Sequence, residues 1–163
     1  MENHKLETDI QVIEQAILNE VEGENFYRLA ATQFEGETRE IFLELADQEQ
    51  YHVRYLENLK KNLGDSQNAD AQKLSVPSPG IFRWERIDAS KMTMALTVLS
   101  TGIQLEQNSV AFYEKARDHA DREELKTIYQ SLADWEKTHV YELTEQYEIY
   151  KKDWWAEQRF SAM

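Results

Sequence analysis

The sequence predicts an all-α protein, a four-helix bundle of two helical hairpins joined by one long crossover connection. Three observations carry this. Glycine and proline number five and two in 163 residues, and sparse breakers mean long uninterrupted elements. Apolar residues recur at helical period along four separate stretches. A stretch of different character, polar at its start and holding both prolines, separates the second of these from the third.

The first helix is expected over about 9–34, with Ile13, Ala16, Ile17, Tyr27, Ala31 and Phe34 on one stripe and a break at Glu35-Gly36. The second, about 37–63, carries Phe42, Leu45, Ala46, Val53, Leu56 and Leu63 and stops at Gly64, with Lys60 and Lys61 in its last turn. The crossover, about 64–89, opens on Asp65-Ser66-Gln67-Asn68 and holds Pro77, Pro79 and Gly80. Its end, Ile81-Phe82-Arg83-Trp84, is expected to pack on the bundle. Asp88 or Ser90 caps the third helix, about 90–118, striped by Met92, Ala95, Leu99, Gly102, Ile103, Val110 and Tyr113. Asp121 opens the fourth, about 121–151, with Leu125, Tyr129, Leu132, Val140, Leu143 and Tyr147. Residues 152–163 read as an aromatic tail whose Trp154, Trp155 and Phe160 pack against the bundle or a second subunit.

A connection of about 25 residues inside a compact domain needs a reason. A helix of about 26 residues is about 39 Å long, and an extended connection of that size can run the whole length of a bundle. Two hairpins joined in this way form the ferritin-like variant of the four-helix bundle, whereas a plain up-down bundle needs no such crossover. The whole chain, 1–163, is expected to be one such domain.

Composition narrows the partners. Lys plus Arg number 18 against 31 Asp plus Glu, a net charge of −13. Nucleic acid and anionic membranes want a basic face, so neither is expected, while cations are attracted. Cysteine is absent, which excludes disulfides, a thiolate nucleophile, iron–sulfur clusters and Cys-ligated zinc. Met1–Asp9 is polar with no apolar signal segment, and no apolar run is long enough to span a bilayer. A cytoplasmic setting is expected.

The informative residues interrupt the apolar stripes. At 100° per residue, Glu20 falls among Ile13, Ala16, Ile17 and Tyr27, and Glu49 among Phe42, Leu45, Val53 and Leu56. Glu106 falls among Leu99, Gly102, Val110 and Tyr113, and Glu136 among Tyr129, Leu132, Val140 and Leu143. Each helix thus aims one carboxylate at the core. Four like charges cannot be buried together unless they are protonated, paired or bound to cations. Arg and Lys are scarce on the stripes, which leaves a metal as the economical answer.

His52 follows Glu49 by three residues and His139 follows Glu136 by three, so each pair shares a helix face. Two Glu-x-x-His pairs, with one Glu from each remaining helix, make the ligand set of di-iron and di-manganese carboxylate bundles. A repeat supports the assignment. Leu45-Ala46-Asp47-Gln48-Glu49-Gln50-Tyr51-His52-Val53 returns as Leu132-Ala133-Asp134-Trp135-Glu136-Lys137-Thr138-His139-Val140, identical at six of nine positions. Glu20 with Phe26-Tyr27 is answered by Glu106 with Phe112-Tyr113. The chain reads as a duplicated hairpin, each copy giving half a site. Tyr27 and Tyr113 are either aromatic core filler or donors that orient ligating carboxylates. Glu24 is a candidate outer acid, and His4 and His119 are expected at the surface.

Together, Glu20-x6-Tyr27, Ala46-Asp47-Gln48-Glu49-Gln50-Tyr51-His52, Glu106-x6-Tyr113 and Glu136-x-x-His139 resemble the di-iron domain of the rubrerythrins, within the ferritin-like superfamily. The resemblance covers about residues 9–150. It implies two iron ions per chain, with manganese or zinc as alternative loads, held by Glu20, Glu49, His52, Glu106, Glu136 and His139. It also implies reduction of hydrogen peroxide or dioxygen, and homodimers or larger homo-oligomers. Rubrerythrins proper carry a Cys-ligated rubredoxin domain, which this cysteine-free chain lacks, so the implied electrons come from an external donor such as a rubredoxin-like protein. They also carry a further Glu three residues beyond the third-helix ligand, where this chain has Ser109, which makes the site more symmetric. Within the same fold, the alternative function is a ferroxidase or iron-storage protein.

Overall fold

The computed structural model describes residues 2–64 and 87–161. Four helices fill them: α1 (Glu2–Ala31), α2 (Gly36–Gly64), α3 (Ala89–His119) and α4 (Glu123–Ser161), with no strand among the described residues. None of these helices is long and apolar enough to cross a membrane.

Local chemistry sets the ends. The α1–α2 turn closes through the amides of Thr32, Gln33 and Phe34, which donate to the carbonyls of Leu29, Ala30 and Ala31. Gly36 then takes φ 65°, a conformation other residues adopt at a cost. At α3 the cap is Asp88, whose carboxylate accepts from the Ser90 amide at 3.2 Å. Two helices outrun their expected bounds. α1 starts at Glu2, and its polar first turns are tied down by partly buried Leu6 and by a 3.0 Å pair between Lys5 and Asp121. α4 starts at Glu123 and continues to Ser161, so residues 152–161, read as a tail, are helical. The reason is that the apolar period does not stop at 151. Tyr150 is buried, and Tyr147 and Trp154 pack against the same cluster. Trp155 is exposed and stands edge-on to Trp154, with ring centroids 4.9 Å apart. The crossover residues 65–86, with the aromatic segment Ile81–Trp84, and the side chain of Phe160 lie outside the described residues.

The hairpins α1·α2 and α3·α4 each pack along their length, and α1 also approaches α3. The apolar core has two parts. One joins Ala30 of α1, Phe34 of the turn that follows it (the helix, expected to reach 34, stops at Ala31), Phe42 of α2, Met92 of α3 and Tyr150 of α4. The other joins Ile13 of α1, Leu59 of α2, Tyr113 of α3 and Leu125 of α4. Each part draws on one end of every helix, so the memberships fix the directions: α1 runs with α4, α2 runs with α3, and all other pairs are antiparallel. α2 therefore ends at the opposite end of the bundle from where α3 begins. A four-helix bundle of ferritin-like plan results, with its middle level between the two apolar clusters.

Leu132 is fully buried in the second cluster. Leu132→Ala should lower unfolding free energy by about 2–5 kcal/mol in a denaturant titration of the metal-free protein. A loss well under 1 kcal/mol would show that this cluster is not the packed core described here.

Candidate metal centre

All six expected ligand residues meet at the middle level. Glu20 comes from α1, Glu49 and His52 from α2, Glu106 from α3, and Glu136 and His139 from α4, each between 0% and 3% exposed. Three-residue spacing puts Glu and His one turn apart on the same inward face of α2 and of α4. Their atoms form two overlapping groups: Glu20, Glu49, His52 and Glu136 in one, and Glu49, Glu106, Glu136 and His139 in the other. Within each group one ligand atom per residue lies within 4.8 Å of the rest. Both histidines turn Nδ1 inward. His52 Nδ1 is 3.1 Å from Glu136 Oε1 and 3.5 Å from Glu20 Oε2. His139 Nδ1 is 3.2 Å from Glu106 Oε1 and 3.3 Å from both Glu49 Oε1 and Glu136 Oε2.

The donor set fits divalent cations. Glu20 Oε2, Glu49 Oε1, both Glu136 oxygens and His52 Nδ1 are buried without a hydrogen-bond partner. No lysine or arginine pairs with any of the six among the described residues. Orphaned acceptors that converge on one another are costly in an apolar core, and an ion bound by several of them removes that cost. Carboxylate and imidazole together suit iron, manganese or zinc. The cluster is compatible with a di-iron site.

Electrostatics divide the four acids into two kinds. Burial, reinforced by the other carboxylates, pushes Glu49 and Glu136 well above the ordinary value of 4.5. For Glu106 burial acts in the same direction but is outweighed by His139 and by hydrogen bonds, which bring it down to about 2. Glu20 is also lowered: burial again acts upward, but His52 together with hydrogen bonds to Glu49, His52 and Tyr113 outweighs it. His139 is raised well above 6.5, because Glu106 and its other acidic neighbours overcome a burial that favours the neutral ring. In the absence of metal, protons thus collect on the two carboxylates common to both groups and on His139.

Tyr27 and Tyr113 do reach carboxylates, but across the bundle rather than on their own helices. Tyr27 Oη donates to Glu106 Oε1, and Tyr113 Oη donates to Glu20 Oε1. Seven residues are about 10.5 Å of helix rise, too far for either hydroxyl to reach its own helix's glutamate. The antiparallel run of α1 and α3 brings each tyrosine level with the other helix's acid instead. Burial and the adjacent carboxylate raise both phenols well above 10, so they stay protonated donors. Glu24 is not part of the site and pairs with Arg28 at 2.9 Å. His4 and His119 are exposed.

Three contributors were not singled out from the sequence. Gln48 Oε1 lies 2.7 Å from His139 Nε2 and accepts from Trp135 Nε1 at 3.1 Å. The Trp135 ring stands edge-on to His52, centroids 4.7 Å apart. At Gly23 a Cβ would come within 3.2 Å of Glu49 Oε2. The one available sequence signal was the repeat itself, in which Gln48 and Trp135 occupy the same position, just before the inward glutamate, with different chemistry.

These directions predict how metal-free stability depends on pH. Glu49 and Glu136 bind protons more tightly folded than unfolded, so their contribution is complete below pH 4.5 and is lost as pH rises through their raised values. His139 acts in the same sense from 6.5 upward. Glu20 and Glu106 act oppositely, losing their contribution only as pH falls through the lowered values. The Tm of metal-free protein should therefore fall between about pH 5 and about pH 9, and saturating Mn(II) should flatten or reverse that slope, because bound carboxylates give up their protons. Thermal scans at several pH values check this, and a metal-free Tm independent of pH would contradict it.

No curated protein and no solved structure matches the chain. The family model for rubrerythrin matches residues 11–147, a span that holds all four inward glutamates and both Glu-x-x-His pairs. With the fold and the buried carboxylate–histidine cluster, that match means the chain belongs to the rubrerythrin family.

Proposed function

We propose that this chain is a non-haem di-iron oxidoreductase that reduces hydrogen peroxide or dioxygen with electrons from an external donor, such as a rubredoxin-like protein. It would act as a single domain in a homodimer or larger homo-oligomer. The observation that carries the reading is the pair of overlapping groups, each of three carboxylates and one imidazole, at the middle of the bundle. Glu20 and His52 would hold one ion and Glu106 and His139 the other, and Glu49 and Glu136, common to both groups, would serve both. Two ferrous ions held there would supply the two electrons that, with two protons from solvent, turn one hydrogen peroxide into two waters.

The chain's own residues prepare the site for that task. Tyr27 and Tyr113 each occupy one oxygen of Glu106 and Glu20, which fixes those carboxylates and aims the remaining lone pairs inward. Glu49 and Glu136 hold protons that metal binding releases. A pocket of about 160 Å³ lies along the α1–α3 seam, lined by Asn19, Glu22, Gly23, Asn108 and Ser109 and reaching Glu49 and Glu106. That volume suits water or peroxide and falls below the size of an ordinary organic-ligand site. Gly23 and Ser109 hold equivalent places one turn beyond Glu20 and Glu106, and both are small. A longer side chain at either would close the passage.

A second reading, ferroxidase or iron storage, is favoured by the equivalence of the two groups and by Ser109. With no spare carboxylate on α3 at that place, the two ions would have matching ligand types, each one unshared acid, one histidine and two shared acids.

Anaerobic Fe(II) titration, followed by one equivalent of peroxide or of dioxygen, tests both. Two ions per chain should bind, and Glu49→Ala and Glu136→Ala should each abolish binding of at least one. Faster ferric absorbance with peroxide supports the reductase, whereas faster reaction with dioxygen in a shell-sized assembly supports storage. Failure to bind iron stoichiometrically removes both readings. Ser109→Phe should slow the peroxide reaction at least about tenfold while two ions still bind, since it obstructs the passage without touching a ligand.

A further inference from the structure

The duplicated hairpin is not symmetric where it matters most. Gln48 and Trp135 are equivalent positions of the repeat, each preceding the inward glutamate of its helix. Each faces the histidine of the opposite hairpin: Gln48 meets His139, and Trp135 meets His52. One offers a hydrogen-bond acceptor and the other an aromatic ring.

Donor and acceptor rules then fix the state of His139. An indole N–H can only donate, so the group that Trp135 Nε1 meets at 3.1 Å must be the amide oxygen of Gln48, not its nitrogen. The same oxygen lies 2.7 Å from His139 Nε2, which must therefore carry a proton. With Nε2 held protonated, the proton that a bound ion would displace from His139 is the one on Nδ1, the atom that faces Glu49, Glu106 and Glu136. Trp135 thus acts on His139 through Gln48. Among the described residues nothing equivalent meets His52. Its Nε2 is buried with no hydrogen-bond partner, and the Trp135 ring stands edge-on beside it, itself stacked on Tyr51 with centroids 5.9 Å apart.

Resting on the di-metal reading above, we propose that Gln48 and Trp135 form a tautomer lock on His139 and make the two ion positions unequal. The position built from Glu49, Glu106, Glu136 and His139 fills first, and the position around His52 fills second and exchanges more readily. Gln48 and Trp135 are positioning residues, since neither is within the ligand groups.

Cobalt(II), titrated anaerobically into metal-free protein and followed by calorimetry and visible absorption, tests this without any turnover. Two bound ions repel, so two steps alone prove nothing, and the variants decide. If the positions are unequal, Gln48→Leu lowers first-step affinity by about 10–100-fold, toward that of the second position, because an orienting partner of a ligating histidine is lost. If they are equal, the first ion simply takes the unaltered position, and the first step stays where it was. Gln48→Glu, whose carboxylate accepts from both N–H groups, should restore the first step. Trp135→Phe keeps a ring beside His52 but frees the Gln48 amide, so it should weaken the first step and leave the second.

Circular dichroism confirms that each variant is folded, and Trp135→Phe tests the same lock should Gln48→Leu fail to fold. A first step unchanged in folded Gln48→Leu, or unchanged in Trp135→Phe, overturns the inference and leaves the two-ion site standing. Wild-type protein that binds no cobalt overturns the inference and the di-metal reading together.

Discussion

Four carboxylates share one level of the bundle, and most of the architecture answers that fact. Placed in an apolar core they would repel one another and lose their hydration, a cost no amount of neighbouring hydrophobic contact removes. The chain separates the problem from its core. Apolar clusters at either end supply the packing, and the polar level is confined between them. Within that level, His139 and the two tyrosine hydroxyls satisfy part of the demand, and the remaining lone pairs converge. Stability and cation binding are therefore coupled, because the same carboxylates that strain the metal-free fold are the groups an ion would neutralise.

The antiparallel pairing of α1 with α3 is the device that makes the acids a constellation rather than four separate insertions. Each helix contributes an acid and, two turns on, the tyrosine that holds the other helix's acid. Neither half can orient its own terminal carboxylate. Gly102 belongs to the same arrangement, since a Cβ there would come within 3.4 Å of the Phe26 ring and 3.7 Å of the Tyr27 ring. A residue with no side chain at that point lets α1 lay its aromatics against α3.

The fold and the six inward residues were legible because they follow from single-helix geometry. A 100° step places Glu20, Glu49, Glu106 and Glu136 among apolar residues, and a three-residue step sets each histidine beside its glutamate. The extra turns of α4 were hidden by charge. Lys151, Lys152 and Asp153 put three charges in a row at the expected bound, although Tyr150 and Trp154 continue the inward stripe around them. The exchange of tyrosines between helices and the contacts of Gln48 and Trp135 were hidden for a different reason. They depend on which helix lies opposite and at what height, and no periodicity within one segment carries that information. Position 48 also lies four residues before His52 on its own helix, yet its amide meets His139, so spacing along α2 points to the wrong histidine.

The two seams of the bundle end up with opposite characters. Along α1–α3 the backbones approach, Gly23 and Ser109 are small, and a narrow passage reaches the carboxylates. Along α2–α4 no Cα pair comes within 8 Å among the described residues, and the gap is filled by side chains: both imidazoles, Gln48, Trp135 and Tyr51. One face of the centre is therefore open to small molecules and lined by acids, while the other is closed by rings and holds the histidines in place. Carboxylates that could hold a cation thus face the opening, and the imidazoles face the packed side. Two identical halves related by a two-fold axis would already supply that division, but they could not place different residues at positions 48 and 135. Differences at two pairs of the repeat, Gln48 with Trp135 and Tyr51 with Thr138, give His52 and His139 different neighbours on the closed face.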